Sequence, residues 1–440
     1  MEQRYRIESV TLRDTGVFEH THIEFPEGSR SGHEAKKAEI HIFTGPNGCG
    51  KSTMLYALAG IFDHASPNLS PLHQRFRSRK ASVVCRFCEE RAVISAGEER
   101  ATRKIAIVGD ELSLLTSYRM ISQSEHWPVE AYVDFAAFAY SGQRSNREKL
   151  HTSKIEELAI SPFEDALSFD ATVRPAVLAK WIANNRTKAA LARLDLAESE
   201  AEIYDESLLR ICRFVKNVSG LTISFRLERS PLSVKVELEG ESIEYDVLPD
   251  GLKSIISWIA DLALRLESVP WRVPRDIFSQ PIILFLDEVD IHLHPGWQRR
   301  ILPAIQTLLP NAQVFVSTYS PFVVGSVEDA WVYRLPEQRY DLCKDSGSME
   351  LITAMNSSAG KSYQLILSEV FDINEEFDVE TEYQLAEFKQ AIRKHIVDKN
   401  NKDAVMQLAA LLQAKGEELN ALVTMELRQM QRILAKYTGD

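Results

Sequence analysis

The chain has 440 residues, of which 45% are hydrophobic and 26% charged, a length and composition suited to a large globular head or to about two or three ordinary domains. No apolar run is long enough to span a bilayer, and the opening MEQRYRIESVTLRD lacks the apolar core of a secretory signal, so a cytoplasmic protein without membrane contact is expected. The net charge of −12, from 51 basic and 63 acidic residues, argues against a globally basic nucleic-acid binder but leaves room for a local patch.

Residues 5–25 alternate apolar and polar positions, as paired strands do. EIHIFTG (39–45) reads as a short apolar strand, and KSTMLYALAGIF (51–62) has helical periodicity. A Pro- and Arg-punctuated loop (66–80) leads into a mainly β stretch (81–140). Within it Cys85 and Cys88 form one CxxC, without a second pair or a His pair at ligand spacing, so zinc is not expected. Residues 151–218 turn helical, and 221–247 return to strand pairs. LPDGLKS (248–254) opens an amphipathic helix, and a Pro-rich linker follows it. IILFLDE (282–288) and AQVFVS (312–317) are nearly unbroken apolar runs, the mark of buried parallel strands. The remainder is helical and highly charged. The order predicts an α/β core split by an insert: an N-terminal lobe at 1–150, a helical insert at 151–220, a second lobe at 221–335 and a helical tail at 336–440.

The octet GPNGCGKS (45–52) fits the phosphate-cradling pattern G-x-x-x-x-G-K-[ST] between a strand and a helix. Its glycines let successive backbone N–H groups face one centre, and the helix that follows adds its positive end. Asn47, Gly48, Cys49, Gly50, Lys51, Ser52 and Thr53 are therefore the expected contacts to ATP, with Lys51 on the β and γ phosphates. Thr53 serves chiefly to support the helix. The Ser52 hydroxyl is suited to Mg²⁺. IILFLDE supplies the second half of such a site: Asp287 at the strand end would share the metal, and Glu288 would orient or deprotonate the attacking water. His292 and His294 follow in DIHLHP, but no third ligand sits at helical spacing, so a loop beside the site is expected in place of a metal centre.

Together these pieces resemble the ABC-type ATPase heads of the SMC, RecF and overcoming-lysogenization-defect proteins. The closest likeness is to stand-alone bacterial ATPases of the AAA_21 type, including the Septu and retron-associated ATPases of anti-phage defence. FLDEVDIHLHPGWQR is the most specific stretch, STYSPF (317–322) resembles the switch segment, and GKSYQLILSEVF (360–371) resembles the Septu-type ATPases. The likeness covers residues 1–335 and implies an ABC-type P-loop head with a mixed β-sheet core, a helical insert and a helical tail. It implies self-association as a head-to-tail dimer or larger oligomer, and a separate HNH-type nuclease as effector.

LPDGLKS then stands where such heads carry a signature loop resembling LSxGxK, which reaches the partner protomer's γ-phosphate. Gly251 would donate backbone N–H groups there and Asp250 would cap the helix, but Pro249 replaces the usual Ser. Tyr319 replaces the usual switch His. Both changes weaken γ-phosphate sensing, so ATP binding with slow hydrolysis is expected. The alternative for Pro249 is a plain helix-entry residue. By the same resemblance Gln143 is assigned to Mg²⁺ and water, with Arg144 as a phosphate neighbour, although both also fit solvated loop positions.

The helical insert is too short and lacks the sustained heptads of a coiled-coil arm. HQRFRSRK (73–80) is either a nucleic-acid contact or a solvated loop. In the tail, Leu419, Leu422, Val423, Met430, Ile433, Leu434 and Tyr437 form one apolar stripe, for its own core, a second copy or a partner. Three functions follow: a regulatory ATPase subunit of a defence complex, a RecF-like ATPase acting on DNA directly, or a transporter's nucleotide-binding subunit. The third is disfavoured by the missing signature Ser and switch His.

Overall fold

The structure is a computed structural model that describes residues 5–28, 37–62, 72–88, 90–96, 103–108, 114–122, 132–142, 155, 161–230, 232–337, 349–398 and 401–437. By contact it divides into a unit of residues 1–366 and a unit of residues 367–440.

The first unit opens with strands β1 (Ile7–Thr15), β2 (Phe18–Glu24) and β3 (Glu39–Thr44), then helix α1 (Lys51–Ala59). Strands β4 (Ser82–Phe87), β5 (Arg91–Ala96) and β6 (Arg103–Val108) follow, then α2 (Leu114–Ser122) and β7 (Ala136–Ser141). The helical pair α3 (Pro175–Leu194) and α4 (Glu198–Ser219) comes next, with the three-stranded sheet β8 (Ile223–Arg229), β9 (Leu232–Leu238) and β10 (Glu241–Ile243). Then come α5 (Asp250–Ser268), β11 (Ile282–Asp287), α6 (Pro295–Leu308), β12 (Ala312–Ser317), the single turn α7 (Pro321–Val324) and β13 (Ala330–Arg334). Two short strands, β14 (Glu350–Ile352) and β15 (Met355–Asn356), precede α8 (Tyr363–Phe371).

Two six-stranded sheets organise this unit. One runs β15-β13-β3-β12-β11-β7, and β13, β3, β12, β11 and β7 are parallel. Its strands β3, β7, β11 and β12 are buried at every position, which is why they read as continuous apolar runs. The other runs β14-β2-β1-β4-β5-β6 and is antiparallel but for the β14–β2 pair. β1 and β4 alternate in burial, as a sheet covered on one face should. Two local expectations change. A helix, α2, interrupts the β stretch 81–140, and residues 350–356 return a strand to each sheet in place of continuing as helix.

A buried polar network joins the sheets behind β3. The Arg6 guanidinium donates to both oxygens of Glu39 at 2.6–2.9 Å and to Phe25 O. Glu39 Oε1 lies 2.6 Å from His41 Nε2, and His41 Nδ1 lies 3.0 Å from the Tyr333 hydroxyl. Gln313 exchanges hydrogen bonds with the backbone of Ile7 at 2.9 and 3.0 Å, tying β12 to β1. Burial alone would raise the Glu39 carboxyl, but hydrogen bonds and charge from His41 and Arg6 outweigh it and hold it down at about 2. Burial lowers His41, against the pull of Glu39.

In the second unit, α9 (Val379–Asp398), α10 (Lys402–Gln413) and α11 (Glu417–Tyr437) enclose a small core. Phe388, Leu412 and Val423 lie in its centre, and Leu419 and Met430 of the apolar stripe are buried there with Leu422 and Leu434 against them. Packing in its own core therefore accounts for these stripe residues.

The Glu39 network predicts an acid-labile seam. A carboxyl depressed from 4.5 to about 2 contributes stability that is present above 4.5 and lost as pH falls toward 2. Glu39→Gln leaves Arg6 buried without a counter-charge, so urea denaturation at neutral pH should show a loss on the order of 3 kcal/mol. The gap from the native protein should narrow as pH is lowered through that window.

Candidate nucleotide site

The site lies at the carboxyl ends of β3, β11 and β12, where an open parallel sheet gathers its loops. β3 runs into the phosphate loop, and α1 begins at Lys51. Gly50 takes the N-cap position at φ 98°, and a Cβ there would lie 2.5 Å from Val17 and 2.7 Å from the Phe18 ring. Only glycine serves at such a position. No side chain caps α1, so its first-turn N–H groups remain for an anion. Gly48, at φ 80°, has nothing within 4 Å of where a Cβ would sit, so the loop is open at that point.

Lys51 is buried and fully engaged within the chain. Its Nζ donates to Gly45 O at 2.8 Å and Pro46 O at 3.0 Å, and it sits 3.4 Å from the centre of the Tyr319 ring. Nζ also lies 3.7 Å from the Cys49 sulfur, a thiol that burial pushes up. Thr53 lies beneath Gly16, and its hydroxyl accepts from Arg75 Nε at 3.3 Å. Asn47 is exposed in the loop.

Asp287 ends β11, one strand removed from β3, with β12 between. Ser52 Oγ donates to its Oδ1 at 3.0 Å, Ser317 Oγ to the same oxygen at 2.5 Å, and the Tyr56 hydroxyl to Oδ2 at 3.4 Å. Burial raises the Asp287 carboxyl, these hydroxyls lower it, and the neighbouring Glu288 charge raises it again. Glu288 adopts φ 51°, and its N–H donates to Ser317 Oγ at 2.7 Å. A non-glycine residue in the left-handed region costs on the order of 1 kcal/mol and persists where its surroundings enforce it. Gly142 N donates to Asp287 O at 2.7 Å, joining the end of β7 to the same corner.

Gln143 and Arg144 lie outside the described residues. Of the remaining assigned residues, Lys51, Ser52, Asp287, Glu288 and Tyr319 converge on one corner. Gly251 stands in a different contact. It is buried in the first turn of α5, and a Cβ would lie 2.7 Å from His292 O and 3.1 Å from Trp297. Its smallness is thus required within the chain, by the loop that follows Glu288. Pro249 takes the N-cap of α5 without a side-chain bond, and Asp250, the expected cap, is helical and pairs with Lys253 at 2.8 Å. His294 Nδ1 accepts from Gly296 N and caps α6. No cluster of His, Cys, Asp and Glu suited to a metal occurs among the described residues, and Cys85 is buried while Cys88 is exposed. From the basic run, Arg77 donates to Phe18 O and Gly16 N donates to Arg75 O, so this segment packs on the β1–β2 turn.

Ser317 and Tyr56 escaped the sequence reading. Ser317 follows the residue that pairs with Leu286 in register, which places it beside Asp287. Tyr56 stands one turn after Ser52 on α1, so helical spacing could have found it.

Two family models match the chain. One, AAA_23 ("AAA domain"), covers residues 9–203 with the phosphate loop, and the other, AAA_21 ("AAA domain, putative AbiEii toxin, Type IV TA system"), covers 214–325 with the acidic strand. Over these two stretches, which hold both halves of the site, the chain is similar to P-loop ATPases of the AAA_23 and AAA_21 families. It is 33% identical over 112 residues to "Retron Ec83 probable ATPase" of Escherichia coli, 26% of this chain and 20% of that protein. It is 32% identical over 128 residues to "Retron Vc95 probable ATPase" of Vibrio cholerae, 29% of this chain and 24% of that protein. With "Septu protein PtuA" of Bacillus thuringiensis it shares 33% identity over 115 residues, 22% of this chain and 28% of that protein. The matches thus span under a third of each relative. A solved SMC head bound to the C-terminal winged-helix domain of ScpA aligns with 80% of this chain and 97% of its own, at 12% identity and a TM-score of 0.45. No helix among the described residues is long and apolar enough to cross a membrane.

The Gly251 contact has a direct test. Gly251→Ala places its methyl against His292 O, an overlap of the kind that costs about 1–3 kcal/mol. Thermal unfolding without nucleotide should show a lowered Tm, because the contact lies within one protomer.

Proposed function

We propose that this protein is the ATP-binding, slowly hydrolysing regulatory subunit of a bacterial anti-phage defence complex, controlling a separate HNH-type nuclease. The observation that carries the ATP reading is the 3.0 Å bond from Ser52 to Asp287, beside an uncapped α1 and an open Gly48. A hydroxyl and a carboxylate side by side suit Mg²⁺, and the open loop suits phosphates. Ser52 and Asp287 would hold the ion, which supplies charge neutralisation to the phosphates when bound. Lys51 would exchange its loop carbonyls for phosphate oxygens. Glu288, its backbone pinned by Ser317, would orient the attacking water.

Slow turnover is supported by three features. Tyr319 stands where an imidazole is expected, Pro249 brings no hydroxyl to the start of α5, and Lys51 must leave two carbonyls and a ring to meet a phosphate. Loss of one preorganised donor costs about 10²–10³ in rate. The defence role and the nuclease partner are supported by the likeness to Septu and retron ATPases. Self-association in head-to-tail fashion belongs to the same reading.

Calorimetric titration of the purified protein with ATP and Mg²⁺ should show binding, which Lys51→Ala should weaken at least about 100-fold. Glu288→Gln should bind ATP as the native protein does and lose about 10²–10³ in turnover. Hydrolysis at several per second by the native protein would rule out the slow-switch reading. Turnover stimulated by DNA would favour direct action on DNA. Co-purification with an HNH protein encoded alongside tests the partner.

A further inference from the structure

The two loops flanking the phosphate site are fastened to each other by one side chain that the nucleotide reading leaves unused. Gln298 lies half-buried in the first turns of α6. Its Nε2 donates to Leu293 O at 2.9 Å and Asp290 O at 3.2 Å, in the loop that follows Glu288. Its Oε1 accepts from Ser320 Oγ at 2.7 Å, in the turn that carries Tyr319. The amide can sit only this way round, because the reverse would set an oxygen against two carbonyls. Ser320 is saturated as well: its Oγ accepts from Phe322 N at 3.1 Å and Val323 N at 3.3 Å while capping α7. Burial raises the Asp290 carboxyl, and Thr318 and the Tyr319 backbone beside it pull it down.

The consequence is geometric. Glu288 enters its loop in the left-handed region, and Tyr319 leaves its own loop to cover Lys51. Ser317 pins the Glu288 end directly, and the Gln298–Ser320 bond holds the following part of that loop to the turn that carries Tyr319. These hydrogen bonds of Gln298 go to neither the phosphate loop nor Asp287.

We infer that Gln298, through Ser320, is a positioning residue that keeps Glu288 and Tyr319 in one register at the γ-phosphate end of the site. This rests on the proposed ATP reading and deepens it. ADP ends short of that region, so the bridge should affect ATP and its hydrolysis while leaving ADP untouched.

The experiment uses the full chain and compares native protein, Gln298→Met, Ser320→Ala and Ser320→Thr. Affinities for ATP and ADP come from calorimetry, and hydrolysis from single turnover with protein in excess of γ-labelled ATP, which registers very slow rates. Gln298→Met and Ser320→Ala should keep ADP affinity within about 2-fold of native, lower the hydrolysis rate at least about 10-fold and shrink the preference for ATP over ADP. The double variant should be no slower than either single one, because both remove the same bond. Ser320→Thr keeps the hydroxyl and should recover most of the rate. Should Gln298→Met fail to fold, the Ser320 pair carries the same comparison. Native-like rates and ATP preference in the folded variants overturn the inference, as do losses that multiply in the double variant or extend equally to ADP. Failure of the native protein to bind either nucleotide overturns the ATP reading itself, and this inference with it.

Discussion

The architecture of this head turns on a single buried carboxylate. Asp287 is almost wholly removed from water, and an ionised carboxyl in such a place must find donors or give up its charge. Ser52 reaches it from α1, Ser317 from β12 and Tyr56 from the next turn of α1. Those three hydroxyls bring elements distant in the chain to one point. They also leave a carboxylate and a serine together at the mouth of a phosphate loop, an arrangement that a divalent cation would complete.

The sheet behind this corner makes such accuracy possible. β12 lies between the strand that feeds the phosphate loop and the strand that carries the acid, so its final residue necessarily stands between the two. Behind β3, the Arg6–Glu39–His41 network joins the parallel sheet to the antiparallel one without exposing a charge. Breaking a buried pair of that kind costs more than a surface ion pair could contribute. The network thus ties the strand under the phosphate loop to a rigid neighbour.

Tyr319 gives the site its own character. Under the proposed reading, a histidine there would act as an imidazole toward the γ-phosphate. An aromatic ring instead covers the Lys51 ammonium, a contact worth on the order of 1 kcal/mol or somewhat more when shielded from water. Together with the two loop carbonyls it satisfies the lysine without nucleotide. Under the proposed reading, a phosphate would have to draw Lys51 away from these partners.

Much of this could be read from order and composition. GPNGCGKS between a strand and a helix, and IILFLD ending in an acid, identify their elements because their residues admit little else. Glycines at positive φ and unbroken apolar runs are local facts, set by sterics and by burial on both faces. What lies across the chain was beyond such reading. Nothing near Gly251 in sequence shows that His292 O blocks a side chain there, and nothing near Lys51 shows a tyrosine ring above it. The Gln298 bridge likewise joins loops that only the packed sheet brings together. Local chemistry determined which residues could meet a phosphate. The tertiary structure decided which of them meet each other, because strand order and register are settled by burial over the whole fold.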